Sequence, residues 1–248
     1  MDPPPGLNVD VKGQVCKLTK SLYGLKQASR QWFDKLYTFL VSSGYVQSKS
    51  DHSLFVKKTP KEFIALLVYV DDIVLTGNSM KEINLIKTLL DKQFQIKDLG
   101  ELKYFLGFEV ARSKRGIHLC QRKYALDILE ETGMLGSKPS STPYLSNNNS
   151  LYKTEDYMDN PSDYRRLIGK LFYLTNTIPY LCFTVNLLSQ FMQEPTKHHY
   201  QALQHILRYV KSSPSEGLFF ASNSRTQIKG FSGSDWATCH NTRRSTTG

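Results

Sequence analysis

Apolar residues recur along this chain with two periods, and the switches between them mark the elements. In ASRQWFDKLYTFLVSSGY (residues 28 to 45), Trp32, Phe33, Leu36, Tyr37 and Leu40 fall three or four apart, which predicts one amphipathic helix stopping at Gly44. HSLFVKK then reads as a short strand. FIALLVYV (63 to 70) and IVLT (73 to 76) read as two more, with only Asp71 and Asp72 between them. Aspartate accepts the backbone angles of a tight turn, so LLVYVDDIVLTG predicts a β-hairpin with an acidic tip. SMKEINLIKTLLDKQF opens with Ser79 and Glu82 in capping-box spacing and repeats Ile83, Ile86 and Leu90, predicting a second helix over the sheet. LKYFLGFEVARSKRGIHLCQ predicts a further hairpin turning at SKRG, with Gly116 where a positive φ is needed.

KYALDILEETGM predicts a third helix, and residues 136 to 162, rich in Ser, Pro and Asn, read as a linker. Three helical patterns follow, at about 163 to 177, 180 to 193 and 197 to 212. EGLFFASN and TQIKGFSGSDWATC then read as two strands. No internal repeat is present.

Composition adds a charge. Of 248 residues, 32 are Lys or Arg against 22 Asp or Glu, a net charge of +10, which favours a polyanionic partner and nucleic acid first. Aromatic residues interleaved with cations in YRRLIGKLFY and HHYQALQHILRYVK strengthen that expectation. On the last helix Lys197, Arg208 and Lys211 share one face, suited either to tracking a phosphate backbone or to simple solvation. Cys16, Cys120, Cys182 and Cys239 lie far apart with no C-x-x-C pair, so they suggest buried thiols rather than a disulfide framework or a zinc site. No stretch is long enough to span a membrane, and MDPPPGLNVDVKG lacks the regions of a signal peptide, so no membrane partner is expected. An intracellular location, cytoplasmic or nuclear, is expected, with an organelle genome as an alternative origin.

The acidic tip is the first chemical candidate. Two adjacent carboxylates repel each other, and a divalent cation relieves the repulsion while polarising a phosphate; magnesium suits such an all-oxygen site. A solvated acidic turn is the plain alternative. Upstream, KLTKSLYGLKQASRQWFDKL gathers Lys17, Lys20, Lys26 and Arg30 around Gly24, just before the first helix. A glycine turn feeding a helix N-terminus among cations is suited to hold a nucleotide phosphate or a template strand.

Taken with Tyr69-Val70-Asp71-Asp72, these residues resemble the reverse transcriptase of copia-type long-terminal-repeat retrotransposons, in which SLYGLKQA and YVDD recur at this spacing. The resemblance continues through IKDLGELKYFLGFEV, GIHLCQRKYALDILEETGM, YRRLIGKLFYLTNTIPYLCFTVNLLSQ and SDWATCHNTRRSTTG, and covers essentially the whole chain. It implies an α+β fold of the right-hand polymerase type. Residues 1 to 116 would be a partial palm, 117 to 215 the thumb and connection, and 216 to 248 the first strands of a ribonuclease H-like domain.

The implied activity is RNA-directed DNA polymerisation, with Mg2+ as cofactor and an RNA/DNA template-primer duplex and deoxynucleoside triphosphates as partners. Asp71 would ligate the metal directly, with Asp72 beside it at the tip, and Tyr69 and Val70 would lie under the primer end. Gly24, Leu25, Lys26, Gln27 and Arg30 would meet template and incoming nucleotide. Phe105, Leu106 and Gly107 would belong to a primer-gripping hairpin, and Lys97 would assist the pyrophosphate leaving group. The chain also departs from the pattern. The family draws a third aspartate from a strand preceding a proline-rich segment, which here is residues 1 to 6; Asp10 falls in the intervening loop. Gly233 stands where ribonuclease H carries an acidic ligand two residues before Asp235, and Ser29 where proline is usual. The chain by itself is therefore expected to be inactive as a polymerase and as a ribonuclease, leaving a nucleic-acid-binding remnant or an inert relic as alternatives.

Overall fold

A computed structural model describes residues 15–19, 22, 24–144, 151, 156–225, 227, 229–233 and 245. The chain divides into two compact units, residues 1–100 and 101–248. Both units mix helix with antiparallel sheet, and the described residues hold two sheets and six α-helices.

In the first unit, α1 (Ala28–Ser42) leads into β1 (Val46–Gln47), β2 (Leu54–Lys58), β3 (Phe63–Tyr69), β4 (Asp72–Gly77) and α2 (Met80–Phe94). The strands form a meander in the order β1-β2-β3-β4. Alternation decides the faces. Ile64, Leu66 and Val68 of β3 join Phe55 of β2, Leu36 and Leu40 of α1, and Ile83, Ile86 and Leu90 of α2 in one core. Each such side chain, once fully buried, contributes roughly 1.5–3 kcal/mol. Ser79 starts α2 as expected, accepting the Glu82 N–H at 3.4 Å. The reciprocal half of the capping box is not made: the Glu82 carboxylate instead pairs with Lys57 at 2.9 Å, tying the helix to β2.

The second unit begins with β5 (Tyr104–Phe105), β6 (Phe108–Ser113) and β7 (Gly116–Cys120), followed by α3 (Arg122–Glu131). After α4 (Pro161–Leu174), α5 (Cys182–Ser189) and α6 (Lys197–Ser212), β8 (Gly217–Ala221) closes a second sheet ordered β5-β6-β7-β8. Pro161 occupies the first turn of α4 and the Asn160 side chain accepts the Ser162 N–H at 3.0 Å, so this helix starts with both common N-terminal devices. A core of fully buried residues, among them Tyr164, Ile168, Leu171, Leu188 and Leu203, joins α3, α4, α5 and α6.

Several expectations change here. β1 was not anticipated, and LKYFLGFEVARSKRGIHLCQ forms two successive hairpins rather than one. The compact units divide between Gly100 and Glu101, and Gly116 opens β7 within the second of them. EGLFFASN, expected to open a ribonuclease H-like domain, supplies β8, which pairs with β7 from Gly116↔Ala221 to Cys120↔Gly217. The second expected strand, 226 to 239, lies largely outside the described residues, as do Asp10, Lys20, Asp235 and Cys239. Of the other cysteines only Cys120 is buried; Cys182 is exposed.

The cationic face of α6 is engaged with the chain itself. Arg208 donates to the Lys138 carbonyl at 2.7 Å, Lys211 donates to the Ser137 carbonyl, and Lys197 lies 3.9 Å from the Asp156 carboxylate. The start of the expected linker is thereby fastened to α6, and Ser140 adds a bond from its N–H to the Arg208 carbonyl at 3.0 Å.

α6 opens on a capping box of unusual membership: Thr196 caps the His199 N–H while His199 Nδ1 accepts the Thr196 N–H at 2.8 Å. Nε2 therefore carries the proton and donates to the Leu151 carbonyl at 2.7 Å, and the ring stacks on Phe191. Burial lowers the pKa of His199, and neighbouring His198 lowers it further against the opposing effect of the Leu151 carbonyl. Since the fold accepts the neutral ring, stability is full above the ordinary value of 6.5 and falls as acidification proceeds through the lower folded-state value. Urea midpoints measured between pH 7.5 and 5 are expected to decline below pH 6.5, and a His199→Gln variant is expected to show a smaller decline.

Candidate active site

The acidic hairpin forms, with its turn one residue earlier than the sequence suggests. Tyr69 pairs with Asp72, so the two turn residues are Val70 and Asp71, and Asp72 is the first residue of β4. Val70 has φ 50°, a left-handed conformation in which a β-branched side chain is strained. Positive φ at the first turn residue only is the sign pattern of the II′ loop, where glycine is the usual occupant. Strain of this kind costs about 1–3 kcal/mol and is found where surrounding structure enforces a functional geometry.

Strand alternation then places the chemistry. Val68 and Ile73 point into the helix-covered core, so Tyr69 and Asp72, which lie opposite each other, project from the other face of the sheet. Asp71, Asp72, Tyr69 and Val70 are all exposed, Tyr69 by 51% and Val70 by 67%. Two carboxylates thus stand at one solvent-facing tip. Their oxygen donors suit a hard divalent cation, but they are two; among the described residues no group of three or more His, Cys, Asp or Glu is placed to hold a metal.

Gly24, at φ 89°, makes the turn before α1, and Leu25 donates to the Leu22 carbonyl at 3.4 Å. Leu25, Lys26 and Gln27, together with Leu18, Thr19, Ala28 and Gln31, line an open cleft of about 510 Å³. Lys26 and Arg30 are exposed at the N-terminal end of α1, where two cations beside the positive end of the helix dipole attract anions. Lys97 is exposed after α2, next to Asp98, whose carboxyl the Gly100 N–H and Lys87 hold below its usual range.

Phe105, Leu106 and Gly107 form the tip of the β5–β6 hairpin. Phe105 pairs with Phe108, leaving Leu106 (φ 48°) and Gly107 (φ 79°) as the turn, the sign pattern of a I′ loop. Residues 1–146 match the family model described as reverse transcriptase (RNA-dependent DNA polymerase). The chain belongs to that reverse transcriptase family. It is 44% identical over 239 residues to the retrovirus-related Pol polyprotein from transposon RE1 of Arabidopsis thaliana, covering 96% of this chain and 16% of the polyprotein. It is 36% identical over 260 residues to the polyprotein from transposon TNT 1-94 of Nicotiana tabacum, covering 100% of this chain and 19% of that one. A mitochondrial protein of Arabidopsis thaliana is 46% identical over 183 residues, 74% of this chain and 76% of its own length. No solved structure matches significantly. The chain thus resembles copia-type Pol polyproteins and spans about a sixth of the length of the first of them.

In this chain YVDD falls at the hairpin tip and Gly24 to Ala28 of SLYGLKQA at the turn leading into α1, both in the first unit; FLG falls in the second. No described helix is long and apolar enough to cross a membrane. Sequence reasoning missed Tyr173 of α4, whose hydroxyl donates to the Leu106 carbonyl. Only the Leu-Gly pair, a turn signal, hinted that this spot needed a partner.

Proposed function

We propose that this chain is the palm, thumb and connection portion of a copia-type reverse transcriptase, and that it binds an RNA/DNA template-primer for extension by deoxynucleoside triphosphates within a longer Pol polyprotein. The first unit would be the palm, the β5–β6 hairpin the primer grip, and α3 to α6 the thumb and connection. The observation that carries the reading is the strained two-residue turn that presents Asp71 beside Asp72 at an exposed tip of the sheet.

Asp71 and Asp72 would contribute carboxylates to Mg2+, with phosphate oxygens, water and a further carboxylate completing the cage. When bound, the metal activates the primer 3′-hydroxyl and steadies the leaving pyrophosphate. Tyr69, on the same face as Asp72, would support the primer end. Lys26 and Arg30 would hold phosphates at the start of α1, and Lys97 would meet pyrophosphate. With two acidic ligands at the tip, the chain by itself would bind without extending.

Fluorescence anisotropy on a labelled recessed primer-template tests this. Affinity is expected to fall with salt at a log–log slope of roughly −3 or steeper, since each phosphate contact contributes about −0.9. A slope near zero, or equal affinity for an uncharged polymer, would exclude the nucleic-acid reading.

A further inference from the structure

We propose that Tyr173 of α4 is the positioning residue of the β5–β6 hairpin: its hydroxyl latches the Leu106–Gly107 turn, so that the helical core fixes where the hairpin presents its tip. The role of that tip at a primer end rests on the function proposed above. The latch itself rests on geometry alone.

The hairpin has little to stiffen it from within. β5 is two residues long and pairs with β6 through Tyr104↔Glu109 and Phe105↔Phe108, with one further backbone bond from the Val110 N–H to the Lys103 carbonyl at 2.8 Å. β5 is the short edge strand of the four-stranded sheet, so within that sheet it is held by β6 alone. Its turn is also costly, because Leu106 sits at φ 48°, a conformation that penalises a residue with a β-carbon. A contact from outside the sheet would steady this turn.

Tyr173 reaches it from α4. The phenol donates to the Leu106 carbonyl, the carbonyl at the centre of the turn. The ring packs on Phe108, 5.8 Å between centroids, and edge-on against Tyr124 of α3 at 5.2 Å and 85°. Tyr124 in turn donates to the Lys170 carbonyl at 3.5 Å, closing a path from turn to α4 to α3 and back. Gly107 lies against the same ring, where an added Cβ would make ordinary contact at 3.4 Å, and its φ of 79° is the conformation that favours glycine. Tyr173 thus meets the turn by a hydrogen bond and the adjoining strand by a ring contact.

Tyr173→Phe removes the hydroxyl and keeps the ring. Amide hydrogen exchange across residues 104 to 109 is expected to accelerate about fivefold, the ratio set by one hydrogen bond of ordinary net strength, while α5 and α6 stay within about twofold. The second measurement is the ratio of affinities for a recessed 3′ primer-template and a blunt duplex of the same sequence. Wild type is expected to prefer the recessed end, and the variant to lose about fivefold of that preference with blunt-duplex affinity unchanged. A merely structural hydroxyl would lower both affinities together.

Unchanged exchange overturns the latch whatever the binding shows. Faster exchange with the recessed-end preference intact overturns its role at the primer. Faster exchange in a protein whose wild type shows no end preference overturns the primer-grip reading while leaving the latch standing.

Discussion

Asp71→Asn is expected to abolish metal-dependent primer extension by the polyprotein polymerase, lowering single-nucleotide incorporation by about 10³-fold or more, some 4 kcal/mol of transition-state stabilisation. The fold should hardly notice. Asp71 is an exposed turn residue, and asparagine is equally at home in such turns, so the change in unfolding free energy should stay within about 0.5 kcal/mol. Duplex affinity should hold or rise slightly, because one negative charge leaves a tip that, in the proposed complex, would face phosphate. Single-turnover incorporation, a urea midpoint and anisotropy on one preparation separate the three effects. Incorporation within tenfold of wild type would show that Asp71 is not a metal ligand. Asp72→Asn gives the internal contrast: Asp72 lies in β4 opposite Tyr69 rather than in the turn, and a smaller loss is expected there.

That distinction between the two aspartates was not legible in the sequence. Asp-Asp is the better turn pair by local preference, and moving the tip by one residue leaves every core side chain on the same face, so alternation cannot choose between the two pairings. The choice is made at the far end of the hairpin. There Gly77 lies opposite Ile64, where a Cβ would come within 2.5 Å of both Ile64 Cδ1 and the Phe63 carbonyl. Asn78 then clamps the pair, its side chain accepting the Phe63 N–H at 2.8 Å and donating to the Lys61 carbonyl at 3.2 Å. These contacts outweigh the preference at the tip and leave Val70 at φ 50°.

Elements with many periodic residues were readable, and those defined by distant partners were not. α1 and α2 each show three turns of apolar spacing and end within a few residues of the expected limits. β1 has two residues, with Val46 71% exposed, and carries no period. β8 reads as a strand locally, but its partner lies about a hundred residues upstream, and nothing in GLFFA names it. The cations of α6 illustrate the same limit, since Arg208 and Lys211 find backbone carbonyls that spacing along a helix does not reveal. Of the candidate site, the residues were readable from motif spacing, while the strain at Val70 and the support from Tyr173 required the fold.

The largest stability effect is expected at Tyr164→Ala, about 4 kcal/mol, the range for removing an aromatic ring from a packed core. Tyr164 is fully buried on α4, and no neighbour can close the space without moving α5, against which it lies. Burial pushes its phenol well above the ordinary tyrosine pKa, so the hydroxyl stays protonated and donates to the Leu188 carbonyl at 2.7 Å. Tyr164→Phe isolates that bond from the packing. The Leu188 carbonyl keeps the Phe191 N–H at 3.2 Å, so it is not orphaned, and the cost should be about 1 kcal/mol. Urea denaturation of both variants, with hydrogen exchange across α5, gives the ratio directly. Equal losses for Phe and Ala would place the stabilisation in the hydroxyl rather than the ring, and the account of this core as packed around Tyr164 would fail.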